Sequence, residues 1–166
     1  RSRGRRCTSG WRNGLSWNER ATPKPQEHEL KFFTQAWWAA GCENADEVFQ
    51  RYESYLCGVR EHLPPALVAL EAEYTLHDAE LKRLQVDACE QSAVLVLDGW
   101  NRELQYQVRY VLRFAGVRHL EQRLPEQEFV EQELGDLGYW ECEWLGSATE
   151  IRMLFVSSAS ITIRFD

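Results

Sequence analysis

Two spacings of ionisable residues in the sequence could support chemistry, and the first is that of a metal site. Glu73 and His77 lie four positions apart, with Asp78 and Glu80 close by. A helix continuing through Leu76 would aim the carboxylate and the imidazole at one divalent metal ion. The same stretch equally reads as a loop between two elements, and no third and fourth ligand can be named. We therefore predict neither a metal site nor a cofactor.

The second spacing is that of Glu141 and Glu143, which lie two positions apart. On a β-strand they would share one face, as the two carboxylates of an acid and base pair do. Arg152 and Arg164 on the neighbouring predicted strands favour a different outcome, in which cross-strand ion pairs form on a solvent-exposed face.

The cysteines provide no activated nucleophile. Cys142 alternates with Trp140 and Trp144 on an inferred buried face, and Cys57 lies in a predicted helix with only His62 nearby. Both are interpreted as buried structural thiols. The five cysteines are widely and irregularly spaced, which is typical neither of a disulfide framework nor of a metal clip and fits a reducing cytoplasm. No catalytic residue is predicted.

Aromatic residues indicate one ligand site. Trp38, Trp100, Tyr106 and Tyr110 could line a pocket between helices and a curved sheet, although aromatic side chains in such a layer also serve as core. A buried polar residue facing an aromatic-lined cavity would favour a ligand-binding function. A filled core with an acidic surface patch would favour a protein-interaction module instead.

The elements that must position these residues are clearest at the end of the chain. Between Tyr139 and Phe165, apolar and charged side chains alternate with a period of two over three short segments. Such alternation predicts an antiparallel sheet with one buried and one solvent-exposed face. Earlier strands are predicted at Leu84–Cys89, Ala93–Leu97 and Leu104–Phe114, with a turn at Asp98–Asn101.

Helical spacing precedes the strands. Thr34 can cap a short helix that reaches Ala40, a second helix spans Ala45–His62, and a third runs from Pro65 to about Tyr74. The sequence therefore predicts an α+β fold, in which N-terminal helices pack on one face of a curved antiparallel sheet of about six strands.

Length and charge constrain the organisation of the chain. With 166 residues it is long enough for one domain, and its net charge of −7 is uneven, being +4 over residues 1–29 and −11 over residues 30–166. We interpret residues 1–29 as a disordered or extraneous leader and residues 30–166 as a single domain. The acidity of that domain disfavours nucleic acid and favours a basic protein partner. No apolar run suggests a membrane span or a signal peptide, so a cytoplasmic location is expected.

Three segments resemble a known group of proteins. The opening LKFFTQAWW, the strand YQVRYVLRF and the closing GYWECEWL and IRMLFVSSASITIRFD resemble uncharacterised bacterial cytoplasmic proteins with an FFTxxWW-like start and a C-terminal β-meander. That meander is also similar to the one in small immunity proteins that neutralise polymorphic toxins.

The resemblance implies a non-catalytic protein-interaction or immunity-like module whose partner is a basic protein such as a toxin. It also implies a C-terminus clipped by a few residues. The alternative is a small-ligand-binding or enzymatic curved-sheet domain, with its pocket between the helices and the sheet.

Overall fold

The computed structural model describes residues 29–124 and 134–166. Helices come first: α1 (Gln35–Ala39), α2 (Ala45–Val59), a 3-10 turn (Arg60–His62) and α3 (Pro65–Glu73). The strands follow: β1 (Ala79–Asp87), β2 (Ser92–Trp100), β3 (Gln107–Phe114), β4 (His119–Arg123), β5 (Asp136–Trp144), β6 (Thr149–Phe155) and β7 (Ser160–Phe165). The predicted α+β fold is confirmed, with seven strands among the described residues. Apart from Glu29, the predicted leader lies outside them.

Local sequence explains where the helices begin and end. The Thr34 side chain accepts a hydrogen bond from the Trp37 N–H at 3.1 Å, which caps α1 as predicted. Gly41, with a φ of 83°, follows the end of that helix in a conformation that glycine adopts without strain. Pro65 occupies the first position of α3, where its missing N–H costs no helical hydrogen bond.

The sheet is strongly curled, and a short connection shows why it must be. Its strand order is β3-β2-β1-β5-β6-β7-β4, so β3 and β4, consecutive in sequence, lie at opposite edges. The edges of a flat seven-stranded sheet would be about 29 Å apart, whereas residues 115–118 can span only about 17 Å. Curling brings the edges together, and the Phe114 and Phe165 rings lie 4.9 Å apart between their centroids. Gly116, with a φ of 63°, lies in the bend between β3 and β4.

A narrow joint divides the sheet into a first half (β1–β3) and a second half (β4–β7). Only two residue pairs, Ala79 with Leu137 and Glu80 with Asp136, join β1 to β5. Beyond this joint α2 lies along the edge of β5. The hydroxyls of Tyr52 and Tyr55 accept hydrogen bonds from the N–H groups of Cys142, at 2.9 Å, and Trp144, at 2.8 Å. Two tyrosines thus satisfy backbone donors that an adjacent strand would otherwise bind.

The main core lies on the concave face of the sheet. Leu67 and Leu70 of α3 pack there against the inward side chains of both halves. The largest fully buried members from the strands are Leu95, Leu97, Leu137, Ile151, Met153, Phe155, Ile161 and Ile163. α3 and the end of α2 therefore cover this face, whereas Trp37 and Trp38 of α1 pack with Tyr139 and Leu154 in a second cluster.

The opposite face of β5 and β6 contains a buried charge cluster, which we define as Glu141, Glu143, Glu150 and Arg152. The Arg152 guanidinium lies 3.1 Å from Glu141 and 2.5 Å from Glu143, and its Nε donates to Glu150 at 2.8 Å. Pairing of Glu141 and Glu143 with Arg152 is thus confirmed. Arg164 instead contacts Glu150, at 2.9 Å.

The prediction that this face is solvent-exposed is wrong for the charge cluster. Glu141 and Arg152 are each 1% exposed and Glu150 is 0% exposed. Part of the cover is the N-terminal segment, because Glu141 accepts hydrogen bonds from the N–H groups of Lys31 at 2.7 Å, Phe32 at 2.9 Å and Phe33 at 3.3 Å. The alternation of side chains along a strand does not show whether another segment of the chain covers its polar face.

Three strand predictions need correction. β1 begins at Ala79 rather than Leu84, because Ala79 pairs with β5 and Glu80 pairs with both β2 and β5. β2 continues to Trp100, so the turn predicted at Asp98–Asn101 is wrong. The Asn101 side chain instead accepts hydrogen bonds from the N–H groups of Gln105 and Tyr106, at 2.7 Å and 3.1 Å. These bonds hold a turn in place, and β3 begins only at Gln107. β4 is an additional strand, and its sequence HLEQR has too few apolar residues to indicate one.

Gly138 permits the closest packing between α1 and the sheet. It is buried in β5, and a Cβ atom there would lie 2.0 Å from the nearest carbon of the Trp38 ring, which is too close for non-bonded atoms. We expect Gly138→Ala to lower the free energy of unfolding in urea by about 1–3 kcal/mol through overpacking. Gly58→Ala is the matched control, because a Cβ on this α2 residue meets nothing within 4 Å. Gly58→Ala should raise stability by up to about 1 kcal/mol. Equal stability of the two variants would contradict the packing argument.

Candidate functional site

A groove of ≈ 570 Å³ lies between α2, α3 and β5. The groove lies where β5 no longer pairs with β1, so that this edge of β5 faces the helices. α2 contributes Phe49, Tyr52, Glu53, Leu56 and Cys57; α3 contributes Val68, Glu71 and Ala72; the remaining lining consists of Phe33, Arg60, Leu63, Tyr74, Thr75, His77, Gly138, Tyr139 and Trp140. Its volume falls within the range of about 300–1,000 Å³ that is usual for ligand pockets.

Aromatic rings form one end of the groove. The Phe33 and Tyr139 rings stack with their centroids 5.3 Å apart, and Phe49 lies 5.1 Å from Phe33. Tyr139 is also contacted edge-on by Trp37 and Trp38, at 5.0 Å and 5.3 Å. Trp37 and Trp38 therefore hold the aromatic end in place by packing on Tyr139 from outside the described lining.

A hydrogen-bonded polar group interrupts the apolar lining. Tyr52 of α2 donates to the Glu71 carboxyl oxygen of α3 at 2.7 Å, while it accepts the Cys142 N–H. Its hydroxyl oxygen lies 3.6 Å from the Cys142 sulfur. The half-buried Glu71 thus has a hydrogen bond to only one of its oxygens within the described residues.

Burial shifts the pKa values of the three hydrogen-bonded residues, Tyr52, Glu71 and Cys142. It raises the pKa of Glu71, and the hydrogen bond from Tyr52 offsets this only in part. Burial also raises the pKa of Tyr52, and it raises the pKa of Cys142 to about 12. Cys142 therefore stays a neutral thiol at physiological pH, in agreement with the structural role predicted for it.

The four aromatic residues predicted to bind a ligand are distributed differently. Trp38 packs on Gly138 and Tyr139, Trp100 ends β2 with 37% exposure, and Tyr106 lies in the following turn with 60% exposure. Tyr110 is 8% exposed, and its hydroxyl donates to the Trp100 carbonyl oxygen at 2.5 Å. The structure thus brings Tyr110 and Trp100 together and places Trp38 elsewhere. None of the four belongs to the described lining of the groove, and a ligand site formed by them stays a prediction.

The spacing of Glu73 and His77 does not produce a shared helical face. α3 ends at Glu73, and the His77 Nδ1 lies 2.6 Å from the Gly138 carbonyl oxygen. Across residues 29–124 and 134–166, no group of three or more His, Cys, Asp or Glu side chains could hold a metal ion. Cys57 is exposed in the groove wall, so its interpretation as a buried thiol is wrong.

Sequence reasoning missed Tyr52 and Glu71 because each fits a simpler role. Tyr52 follows the apolar spacing of α2 and is indeed buried, at 5% exposure. The position of Glu71 does indicate a buried carboxylate, since it lies four positions after the buried Leu67 in a helix that is otherwise largely apolar. A carboxylate on the core side of such a helix requires a partner.

Comparison with known proteins adds no homology to these observations. In the part of the chain that the structure describes, no helix is both long and apolar enough to cross a bilayer. No protein-family model matches the sequence, and neither a curated protein nor a solved structure gives a significant match.

Proposed function

We propose that the protein binds a small amphipathic amine in the groove, with the amine beside Glu71 and the apolar body among the aromatic side chains. The observation that supports this proposal is the half-buried Glu71 carboxyl in a lining made mainly of aromatic and aliphatic side chains, in which the other two charged residues, Glu53 and Arg60, are exposed. This is the arrangement that favours ligand binding over a protein-interaction module. An immunity-like module with a basic partner stays a prediction.

The charges of the groove favour a cation over an anion. Glu71 keeps an oxygen without a hydrogen-bond donor among the described residues, and an ammonium group supplies such donors. The faces of Tyr52 and Phe49 can also attract a cation that lies over them. Arg60 is the one cationic side chain in the described lining, but it is exposed, so water and salt weaken its attraction for an anion.

Decylamine, decanol and decanoate form a matched series that tests this proposal, because they differ only in the head group. We expect isothermal titration calorimetry to show the tightest binding for decylamine. Glu71→Gln keeps an oxygen that can accept from Tyr52 but removes the charge. It should weaken decylamine binding by about tenfold and leave decanol binding unchanged.

The pH dependence gives a second readout. Because burial raises the pKa of Glu71, the carboxyl takes up its proton at a higher pH than usual. Decylamine affinity should therefore fall as the pH is lowered through that pKa, and decanol affinity should not. Glu73→Gln, an exposed residue of the same helix, is the control and should behave as the wild type. Decanoate binding as tightly as decylamine, or no effect of Glu71→Gln, would exclude an amine site.

A further inference from the structure

A second depression of ≈ 450 Å³ lies on the convex face of the first half of the sheet. Strand register sets its side chains in two cross-strand rows. Gln85, Val94 and Arg113 form one row, and Arg83, Val96 and Val111 form the next. Lys82, at the irregularity in β1, and Arg109, two residues before Val111, complete the lining. This surface combines a valine stripe with four cationic side chains.

Positive charge on this surface is only partly neutralised. Arg109 forms a two-pronged pair with Asp98, at 2.6 Å and 2.8 Å, and Lys82 pairs with Glu80. Arg83 contacts the Gln85 amide, and within residues 29–124 and 134–166 neither Arg83 nor Arg113 has a carboxylate partner. The depression is therefore a cationic region on a chain whose net charge is −7.

Apolar surface lies between the cations. Val111 is 46% exposed, and Val94 and Val96 are half-buried beside it. A face that serves solubility alone would carry charged or polar side chains at these positions. Exposed valines flanked by guanidinium groups instead match a partner that has both carboxylates and apolar side chains.

We infer that the convex face of β1–β3 binds an extended acidic segment of a partner protein, with carboxylates on Arg83 and Arg113 and apolar side chains on the valine stripe. An extended strand-like segment directs alternate side chains to one face, and so presents both kinds of group to the rows.

Charge and composition argue against two other occupants. A second copy docking through the same surface would place cations opposite cations, which is repulsive. A nucleic acid would bring its phosphates close to Asp98 and Glu80, and the lining, as far as the structure describes it, contains no aromatic side chain on which a base could stack. An acidic peptide can avoid these carboxylates by its choice of side chains.

A fluorescein-labelled peptide with the repeat Glu-Ser-Val-Ser is the probe, because an extended chain then presents Glu and Val in turn on one face. Binding is measured by fluorescence anisotropy on the full chain. We expect saturable binding that weakens with added salt. The double variant Arg83→Glu/Arg113→Glu should weaken binding by about tenfold or more. Arg83→Gln/Arg113→Gln provides a milder loss of charge should the first variant fold poorly. Arg51→Glu, an exposed site on α2, is the control and should bind as the wild type does.

Three results would overturn the inference. One is equal binding of a peptide in which Lys replaces Glu, and another is unchanged affinity in both double variants. The third is tighter binding of oligodeoxythymidylate that depends on the same two arginines, which would identify the face as a nucleic-acid surface.

Discussion

Replacing Arg152 by methionine should lower the free energy of unfolding by about 3–5 kcal/mol, the largest effect expected of a single side chain here. The guanidinium is 1% exposed and contacts Glu141, Glu143 and Glu150. Methionine fills similar space but leaves three carboxylates next to one another with much less compensation. Urea unfolding monitored by tryptophan fluorescence measures the loss.

The loss should shrink as the pH falls. Although burial opposes the shift, hydrogen bonds from Lys31 and Arg152 hold the pKa of Glu143 below its usual value. A depressed pKa in the folded state contributes stability above the unfolded pKa, and that contribution disappears as the pH falls through the folded pKa. The wild type therefore loses this advantage in acid.

Arg109→Met is the matched control for the Arg152 variant. Arg109 also contacts a carboxylate through two nitrogens, but it is exposed, so solvent screens the pair and the change in stability should be small. Similar losses in the two variants, or a loss for Arg152→Met that does not depend on pH, would show that the buried charge cluster does not act as described.

Tyr52→Phe should cost about 1–3 kcal/mol, because it leaves the buried Cys142 N–H without its acceptor. The substitution also removes the hydrogen bond that lowers the pKa of Glu71, so that pKa should rise further. Urea unfolding measures the first effect, and an NMR titration of the Glu71 carboxyl measures the second.

Tyr55→Phe is the control, because Tyr55 serves the Trp144 N–H in the same way but is only half-buried. Water can replace its hydroxyl more easily, so its loss should be smaller. If Tyr55→Phe is as destabilising as Tyr52→Phe, the Cys142 N–H is no better shielded from water than the Trp144 N–H, and the burial argument is wrong.

The periodicity of the sequence predicts the helices and strands of this fold better than it predicts the burial of their side chains. The alternation in Tyr139–Phe165 correctly indicates three strands, and the proline and cap signals place the helices to within a few residues. The same alternation predicts exposure for Glu141 and Arg152, because a strand pattern contains no information about a distant segment such as Lys31–Phe33. Contacts between segments so far apart in sequence depend on tertiary folding.

The candidate groove is likewise formed by contacts between segments that are far apart in sequence. Its polar group joins Tyr52, Glu71 and Cys142 from three separate elements, and no local spacing connects them. The aromatic residues Trp100, Tyr106 and Tyr110 are close in sequence, yet they lie in β2, β3 and the turn between them, and none of them is in the described lining of the groove. Only the existence of a pocket between helices and sheet could be anticipated.

The narrow joint between β1 and β5 has a consequence for how the protein forms and opens. Each half of the sheet contains a run of strands that are neighbours in sequence, 79–114 and 136–165, so most pairings within a half close short loops and can form early. Two residue pairs and the four-residue connection 115–118 then link the backbones of these units, and the core shared with α3 and the contact between Phe114 and Phe165 form as they dock. In native-state hydrogen exchange the halves should behave as separate cooperative units, and docking of one on the other is the natural slow step of folding.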